Sequence, residues 1–138
     1  MNTSIDFVCV DLKTHEVYLC NDGQVVKVDG IKSPRQFIED LCLRNGTTLE
    51  GCYEASRRLL ENAYKRPIYI GGKCNQIFVP TCSIKNRECN WISLDFLLKK
   101  SLHTFNLYGF EEMSDQRWNK HLADGIALRR EIFVEEAA

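Results

Sequence analysis

The sequence predicts a single α+β domain with a mostly antiparallel sheet of about seven short strands and three helices. Short β-branched and aromatic segments, separated by turn residues, occupy the start and the middle of the chain. Two segments with apolar residues at helical spacing lie between them, and a third ends the chain. Because 138 residues suit one core, we assign residues 1–138 to one domain.

Three strands open the chain as an antiparallel meander. They are predicted over Ile5–Val10, Glu16–Cys20 and Gln24–Val28. The first connection, around His15, is read as a solvated turn. The second contains Asp22-Gly23, a pair that tolerates the positive φ of a short hairpin.

Two helices follow the meander. Ser33-Pro34 supplies a capping hydroxyl and a proline at the first helical position, and Asn45-Gly46 ends the helix. Thr47 and Glu50 form a predicted capping box for the second helix, which must end before Pro67. Its predicted inner face comprises Leu49, Cys52, Tyr53, Ser56, Leu59, Leu60 and Ala63.

A hairpin with a wide polar loop is predicted in the middle of the chain. Pro67–Ile70 starts the sheet again, and Gly71-Gly72 turns it towards a strand at Ile77–Val79. Pro80 lacks an N–H and is expected to stop the pairing. The chain returns through the strand Trp91-Ile92.

The C-terminal part is predicted as a strand and a helix. Phe96–Lys100 fits either a strand or a helix, and Leu102–Tyr108 fits a strand. Ser114 is predicted to cap the last helix, in which Gly125 costs about 1 kcal/mol relative to Ala. The residues that recur along one face of this helix are Trp118, Leu122, Ile126, Arg129 and Phe133.

Charge is distributed unevenly. The chain has a formal net charge of −1, but residues 44–100 carry +5 between ends of −3 each. A basic middle favours an anionic partner, unless folding mixes the segments into a neutral surface. The sequence has neither an apolar run of about 18 residues nor a secretory leader, so we expect a cytoplasmic protein without membrane contact.

Seven cysteines, an odd number without C-x-x-C spacing, predict buried thiols in a reducing compartment. A zinc site formed by Cys74, Cys82 and Cys89 is an alternative that lacks an evident fourth ligand. We therefore predict neither a metal nor a cofactor.

No enzymatic activity is predicted. Gly71-Gly72-Lys73 lacks the remainder of a phosphate loop, and the three histidines are far apart. Cys82 could be a nucleophile, but no activating base is visible near it.

Two basic groups are candidate DNA contacts. The first lies on and after the second helix and comprises Arg57, Arg58, Lys65 and Arg66. Glu54 and Glu61 precede Arg58 and Lys65 by four residues, so this group can instead be a solvated face with surface ion pairs. The second is the hairpin tip, Lys85, Asn86 and Arg87, with Lys73 in the preceding turn. Thr81 and Ser83 can donate to phosphates or cap the loop.

Several stretches resemble the ComK family of bacterial competence transcription factors. Leu41–Gly51 is similar to a helix junction of the family, and Lys65–Ile70 to its Lys-x-Pro-Ile-x-Ile motif. Phe78–Ser83 followed by Cys89–Ile92 resembles Phe-Phe-Pro-Thr-x-Ser-Pro and Cys-x-Trp-Ile. The order and spacing agree from about residue 37 to residue 95.

This sequence departs from the family pattern at two of these places. Ile84 stands where the family has a proline, and Cys52 stands where it has an arginine.

The resemblance implies a short member of the family that binds A/T-rich promoter DNA, largely through the minor groove, to control competence-type genes. It also implies a homo-oligomer in the nucleoid and an adaptor that delivers the protein to proteolysis. An alternative function is a protein-interaction module or short paralogue that modulates a full-length regulator without binding DNA itself.

Overall fold

The computed structural model describes residues 4–60, 67–82, 86, 88–99 and 115–133. The strands within them are β1 (Phe7–Val10), β2 (Val17–Asn21), β3 (Gln24–Lys27), β4 (Ile68–Ile70), β5 (Gln76–Pro80) and β6 (Trp91–Ser93). The helices are α1 (Pro34–Arg44), α2 (Leu49–Leu59), α3 (Leu94–Lys99) and α4 (Asp115–Phe133).

The strands form one antiparallel sheet in the order β3-β2-β1-β6-β5-β4. The predicted α+β class is therefore confirmed, although the described part of the chain has six strands and four helices. The segment Phe96–Lys100, which fitted a strand or a helix, contributes to helix α3 up to Lys99. The strand predicted at Leu102–Tyr108 lies outside the described residues.

Helices cover both faces of the sheet. One core contains side chains from α1 and α2, including Ile38 and Leu49, together with Trp91 of β6. On the opposite face, Phe96 of α3 and Trp118 of α4 belong to a second core. Because successive strand residues point to opposite faces, β1, β5 and β6 are buried at every position. This explains why their sequences are continuously apolar rather than alternating.

Pro80 does not end the pairing of β5, which corrects the sequence prediction. It lies opposite Trp91, and the Thr81 N–H beyond it donates to the Asn90 carbonyl at 2.9 Å. Since Thr81 and Asn90 form the hydrogen-bonded pair, Pro80 occupies a non-hydrogen-bonded position towards β6, where no N–H is needed. Strand β4 on its other side reaches only as far as Phe78.

The N-terminal cap of α1 is the predicted residue, whereas the cap of α2 lies one residue after the predicted one. The Ser33 hydroxyl accepts from the N–H three residues later at 3.2 Å, and Gly46 after α1 has a φ of 79°. At α2 the cap is Thr48, whose hydroxyl accepts the equivalent bond at 3.0 Å. Thr47, the predicted cap, instead contacts the Cys52 sulfur at 3.8 Å.

Helix α2 buries a narrower face than predicted. Leu49, Cys52 and Ser56 are buried, whereas Leu59 at the last helical position is 41 % exposed. Ala63, the last residue of the predicted face, lies outside the described residues.

The buried face of α4 comprises Trp118, His121, Gly125 and Leu128. This face differs from the predicted one, of which Arg129 was a member: Arg129 is exposed. A Cβ on Gly125 would lie 2.8 Å from a methyl of the buried Leu94, so glycine lets the helix approach the start of α3 closely. Ser114, the predicted cap, lies outside the described residues.

Strand β3 forms one edge of the sheet and is exposed at every position. Its Val25 and Val26 side chains are about half exposed, on opposite faces. None of the described helices has the length and apolar character needed to cross a membrane.

Candidate nucleic-acid interface

The loop between β5 and β6 starts from a buried, hydrogen-bonded residue pair. The Thr81 N–H donates to the Asn90 carbonyl at 2.9 Å, and the Asn90 N–H donates to the Thr81 hydroxyl at 3.2 Å. Thr81 is only 3 % exposed. Its hydroxyl therefore caps the base of the loop, which is one of the two roles that the sequence left open.

Asn86 forms a turn within this loop and is exposed. Its carbonyl accepts from the Cys89 N–H at 3.1 Å, and its Oδ1 accepts from the Glu88 N–H at 3.0 Å. The turn thus uses the acceptor of the amide side chain. Three other predicted contact residues of the loop lie outside the described part of the chain: Ser83, Lys85 and Arg87.

The Cys89 sulfur fills the base of the loop. It accepts from the Cys82 N–H at 3.4 Å and lies 3.3 Å from the carbonyl oxygens of Cys82 and Asn90. The pKa of the Cys89 thiol lies well above its ordinary value. The larger cause is a hydrogen bond with the Cys82 side chain, and the second is burial. The thiol therefore stays protonated at neutral pH.

The turn between β1 and β2 lies beside this loop, a proximity that the sequence did not predict. Asn90 Oδ1 accepts from the Val10 N–H at 2.9 Å, and His15 Nδ1 lies 3.6 Å from a Glu88 carboxylate oxygen. Lys13 in the same turn is exposed. These contacts depend on the pairing of β1 with β6, and no local sequence signal predicts that non-local pairing.

Lys73 lies at the opposite end of β5 from the loop. It is exposed in the turn after β4, which contacts the end of α1 through the bond from the Cys74 N–H to Asn45 Oδ1 at 3.0 Å. Gly72 in that turn has a φ of 62°, and a Cβ there would come within 2.8 Å of Asn45. Five strand residues, about 16 Å of chain, separate Lys73 from the loop. The structure therefore does not bring Lys73 together with Asn86.

Arg57 and Arg58 are exposed on α2 and share one carboxylate. Glu54 accepts hydrogen bonds from Arg57 and lies 3.7 Å from the Arg58 guanidinium. The hydrogen bond from Arg57 holds the Glu54 pKa below its ordinary value, so this carboxylate is ionised at neutral pH. The other two members of this group, Lys65 and Arg66, lie outside the described residues.

The three cysteines of the alternative zinc site are not brought together. Cys74 lies in the turn after β4, whereas Cys82 and Cys89 flank the loop at the other end of β5. Among the residues that the structure describes, no three His, Cys, Asp or Glu side chains are arranged to hold a metal ion.

Comparison with known proteins identifies the family. No curated protein and no solved structure matches the chain. The model of the ComK protein family matches residues 17–107, a segment that contains β2 to α3 and the whole loop between β5 and β6. The chain is thus a member of the ComK family of competence-type transcription factors.

Proposed function

We propose that this chain is a transcriptional regulator that binds A/T-rich duplex DNA through the loop between β5 and β6, largely in the minor groove. The proposal rests on the difference in solvent exposure between the loop and the strands at its base. Asn86 is exposed, whereas the strands on either side are buried and hydrogen-bonded. Such a base fixes the two points at which the loop leaves the sheet.

The chemistry of the loop suits the minor groove of A·T pairs. That groove presents only acceptors, the N3 atom of adenine and the O2 atom of thymine. The turn uses the oxygen of Asn86, and the remaining part of the amide is an NH2 donor. Lys85 and Arg87, its neighbours in the sequence, carry only donors and positive charge. A narrow A/T-rich groove attracts such cations through its enhanced negative potential.

Other basic residues would add phosphate contacts to those made by the loop. Lys73, at least about 16 Å from the loop, would reach phosphates about five base pairs away. On α2, Arg57 and Arg58 would add to the positive potential, partly offset by Glu54. The same role is assigned to Lys65 and Arg66, and phosphate donation to Ser83.

Family membership supports the wider biological role. We assign the protein to the control of competence-type genes, acting in the cytoplasm at the nucleoid as a homo-oligomer, with an adaptor that directs its proteolysis.

Binding to labelled duplexes tests the proposal. Fluorescence anisotropy would compare an A/T-rich duplex with a G/C-rich duplex of equal length at several salt concentrations. We expect tighter binding to the A/T-rich duplex and an affinity that falls steeply as salt rises. Equal binding of both duplexes would contradict minor-groove selectivity, and no binding at low salt would contradict the function.

The edge strand β3 favours a second function, that of a protein-interaction module which modulates a full-length regulator without binding DNA. An exposed edge with half-exposed Val25 and Val26 can pair with a strand of another chain. Co-elution with a full-length family member, combined with no DNA binding by this chain alone, would establish this function.

A further inference from the structure

Cys82 and Cys89 occupy facing positions on the two sides of the loop. Pro80 pairs with Trp91, and the bond from Thr81 to Asn90 continues this register by one step, so that Cys82 comes opposite Cys89. The contacts of the Cys89 sulfur confirm that the two residues are close: it lies 3.4 Å from the Cys82 backbone nitrogen and 3.3 Å from the Cys82 carbonyl oxygen, and the two thiols hydrogen-bond to each other. A disulfide needs two cysteines that lie this close together.

The two cysteine residues differ in exposure to solvent. The Cys89 side chain is fully buried, and its sulfur lies against the backbone of Cys82 at 3.3–3.4 Å. Cys82 is partly exposed. An oxidant in solution therefore reaches Cys82 first, with Cys89 already positioned beside it.

We propose that Cys82 and Cys89 form a reversible disulfide, and that this modification site controls the conformational freedom of the loop between them. With hydrogen peroxide as the oxidant, the Cys82 sulfur takes one peroxide oxygen to become a sulfenic acid, and one water leaves. The Cys89 sulfur then attacks the Cys82 sulfur, the S–S bond forms, and the hydroxyl leaves as a second water with the Cys89 proton. The two thiols are oxidised together, and the peroxide is reduced to two waters.

The other thiols are less suited to this reaction. Cys42 and Cys52 hydrogen-bond to each other, but both are buried between α1 and α2. Cys74 is partly exposed like Cys82, but it lies at the other end of β5. Cys82 is thus both partly exposed and opposite a second cysteine.

Disulfide formation would tighten DNA binding, a consequence that depends on the function proposed above. The bond joins positions that the native register already aligns, so the strands need not shift. It removes conformational freedom from the segment that carries Lys85, Asn86 and Arg87. The loop then loses less entropy on binding, and we expect roughly three- to tenfold tighter binding by the oxidised form.

Peptide mapping tests the disulfide directly. The full chain would be treated with hydrogen peroxide, alkylated under denaturing conditions and digested with trypsin. Cleavage after Lys73, Lys85, Arg87 and Lys99 puts Cys82 and Cys89 in different peptides. We expect a linked peptide pair that lacks two hydrogen atoms and separates on reduction.

Two variants remove the ambiguity of this map. The tryptic peptide with Cys82 also contains Cys74, so a Cys74→Ser variant must retain the linked pair, whereas Cys82→Ser must lose it. A link through Cys74, a link between Cys42 and Cys52 alone, or Cys82 oxidised without a partner would overturn the proposal. If a variant fails to fold, fragment-ion spectra of the linked pair from the wild-type chain locate the bond at Cys82 or at Cys74.

Two assays on the linked protein test control of the loop. Trypsin should cleave the native oxidised protein after Lys85 and Arg87 at least about threefold more slowly than the reduced protein, and equal rates would refute this control. In anisotropy, equal or weaker DNA binding by the oxidised form would also refute it. If neither form binds DNA, the proposed function fails, while the peptide map and the trypsin rates still decide on the disulfide.

Discussion

The Asn90 side-chain oxygen accepts a hydrogen bond from the Val10 backbone N–H at 2.9 Å, which ties the base of the hairpin loop to the central strand β1. Both residues are buried. This amide side chain thus extends the contact between β1 and β6 beyond the strand pairs, towards the loop.

Asn90→Ala should destabilise the protein by about 1–3 kcal/mol, because it leaves the Val10 N–H buried without its acceptor. Urea unfolding followed by circular dichroism would measure the loss. Asn86→Ala in the same loop is the control, and because it removes one exposed hydrogen bond its effect should stay below about 1 kcal/mol. Equal losses in the two variants would contradict the assigned role of Asn90.

Thr81→Val should lower the free energy of unfolding by about 1–2 kcal/mol, since the Asn90 N–H loses the hydroxyl that accepts its bond. The folded protein should bind DNA as tightly as the wild type, because the hydroxyl is buried. Thr81→Ser keeps the acceptor and serves as the control. A stable Thr81→Val protein with weakened DNA binding would assign Thr81 to DNA contact instead.

Gly125→Ala should destabilise the protein by about 1 kcal/mol. The added Cβ would lie 2.8 Å from a Leu94 methyl and 3.4 Å from a Val79 methyl, and overpacking of about 1–3 kcal/mol exceeds the gain in helix propensity of about 1 kcal/mol. Thermal unfolding would measure this loss of stability. Ala123→Gly, on the exposed face of α4, reports the propensity alone. A Gly125→Ala protein more stable than the wild type would refute close packing there.

Glu54→Gln should strengthen DNA binding a fewfold at low salt and steepen the salt dependence by up to about one unit of slope. It removes the charge that offsets Arg57 and Arg58 on α2. Anisotropy titrations at several salt concentrations would measure both quantities. Glu50→Gln, in the exposed first turn of α2, is the charge-matched control. Identical effects of both variants would show a general charge effect rather than a local one.

Local signals predicted the meander, the start of α1 and the hairpin, because turn residues and caps act within a few residues of chain. They misplaced features that depend on geometry or tertiary packing. Thr47 and Thr48 both suit a helix cap by type, and only the backbone geometry selects Thr48. The buried face of α4 includes His121, which the apolar periodicity did not predict.

The candidate site was predicted in part for the same reason. Asn86 is exposed in the loop between β5 and β6, as the polar run from Lys85 to Arg87 indicated. The nearness of Lys73 in the sequence suggested one patch with the loop, but strand β5 separates the two. The adjacency of His15 and Glu88 in the loop arises from the strand order, which a single sequence does not reveal.

Anisotropy of a labelled A/T-rich duplex with the double variant Lys85→Ala/Arg87→Ala would test DNA contact by the loop between β5 and β6. We predict about tenfold weaker binding, a salt slope flatter by about two, and a nearly unchanged melting temperature. Arg129→Ala/Arg130→Ala removes two exposed cations from α4 and should have a much smaller effect. Wild-type affinity in the folded loop variant, or equal losses in both variants, would contradict DNA contact by the hairpin loop.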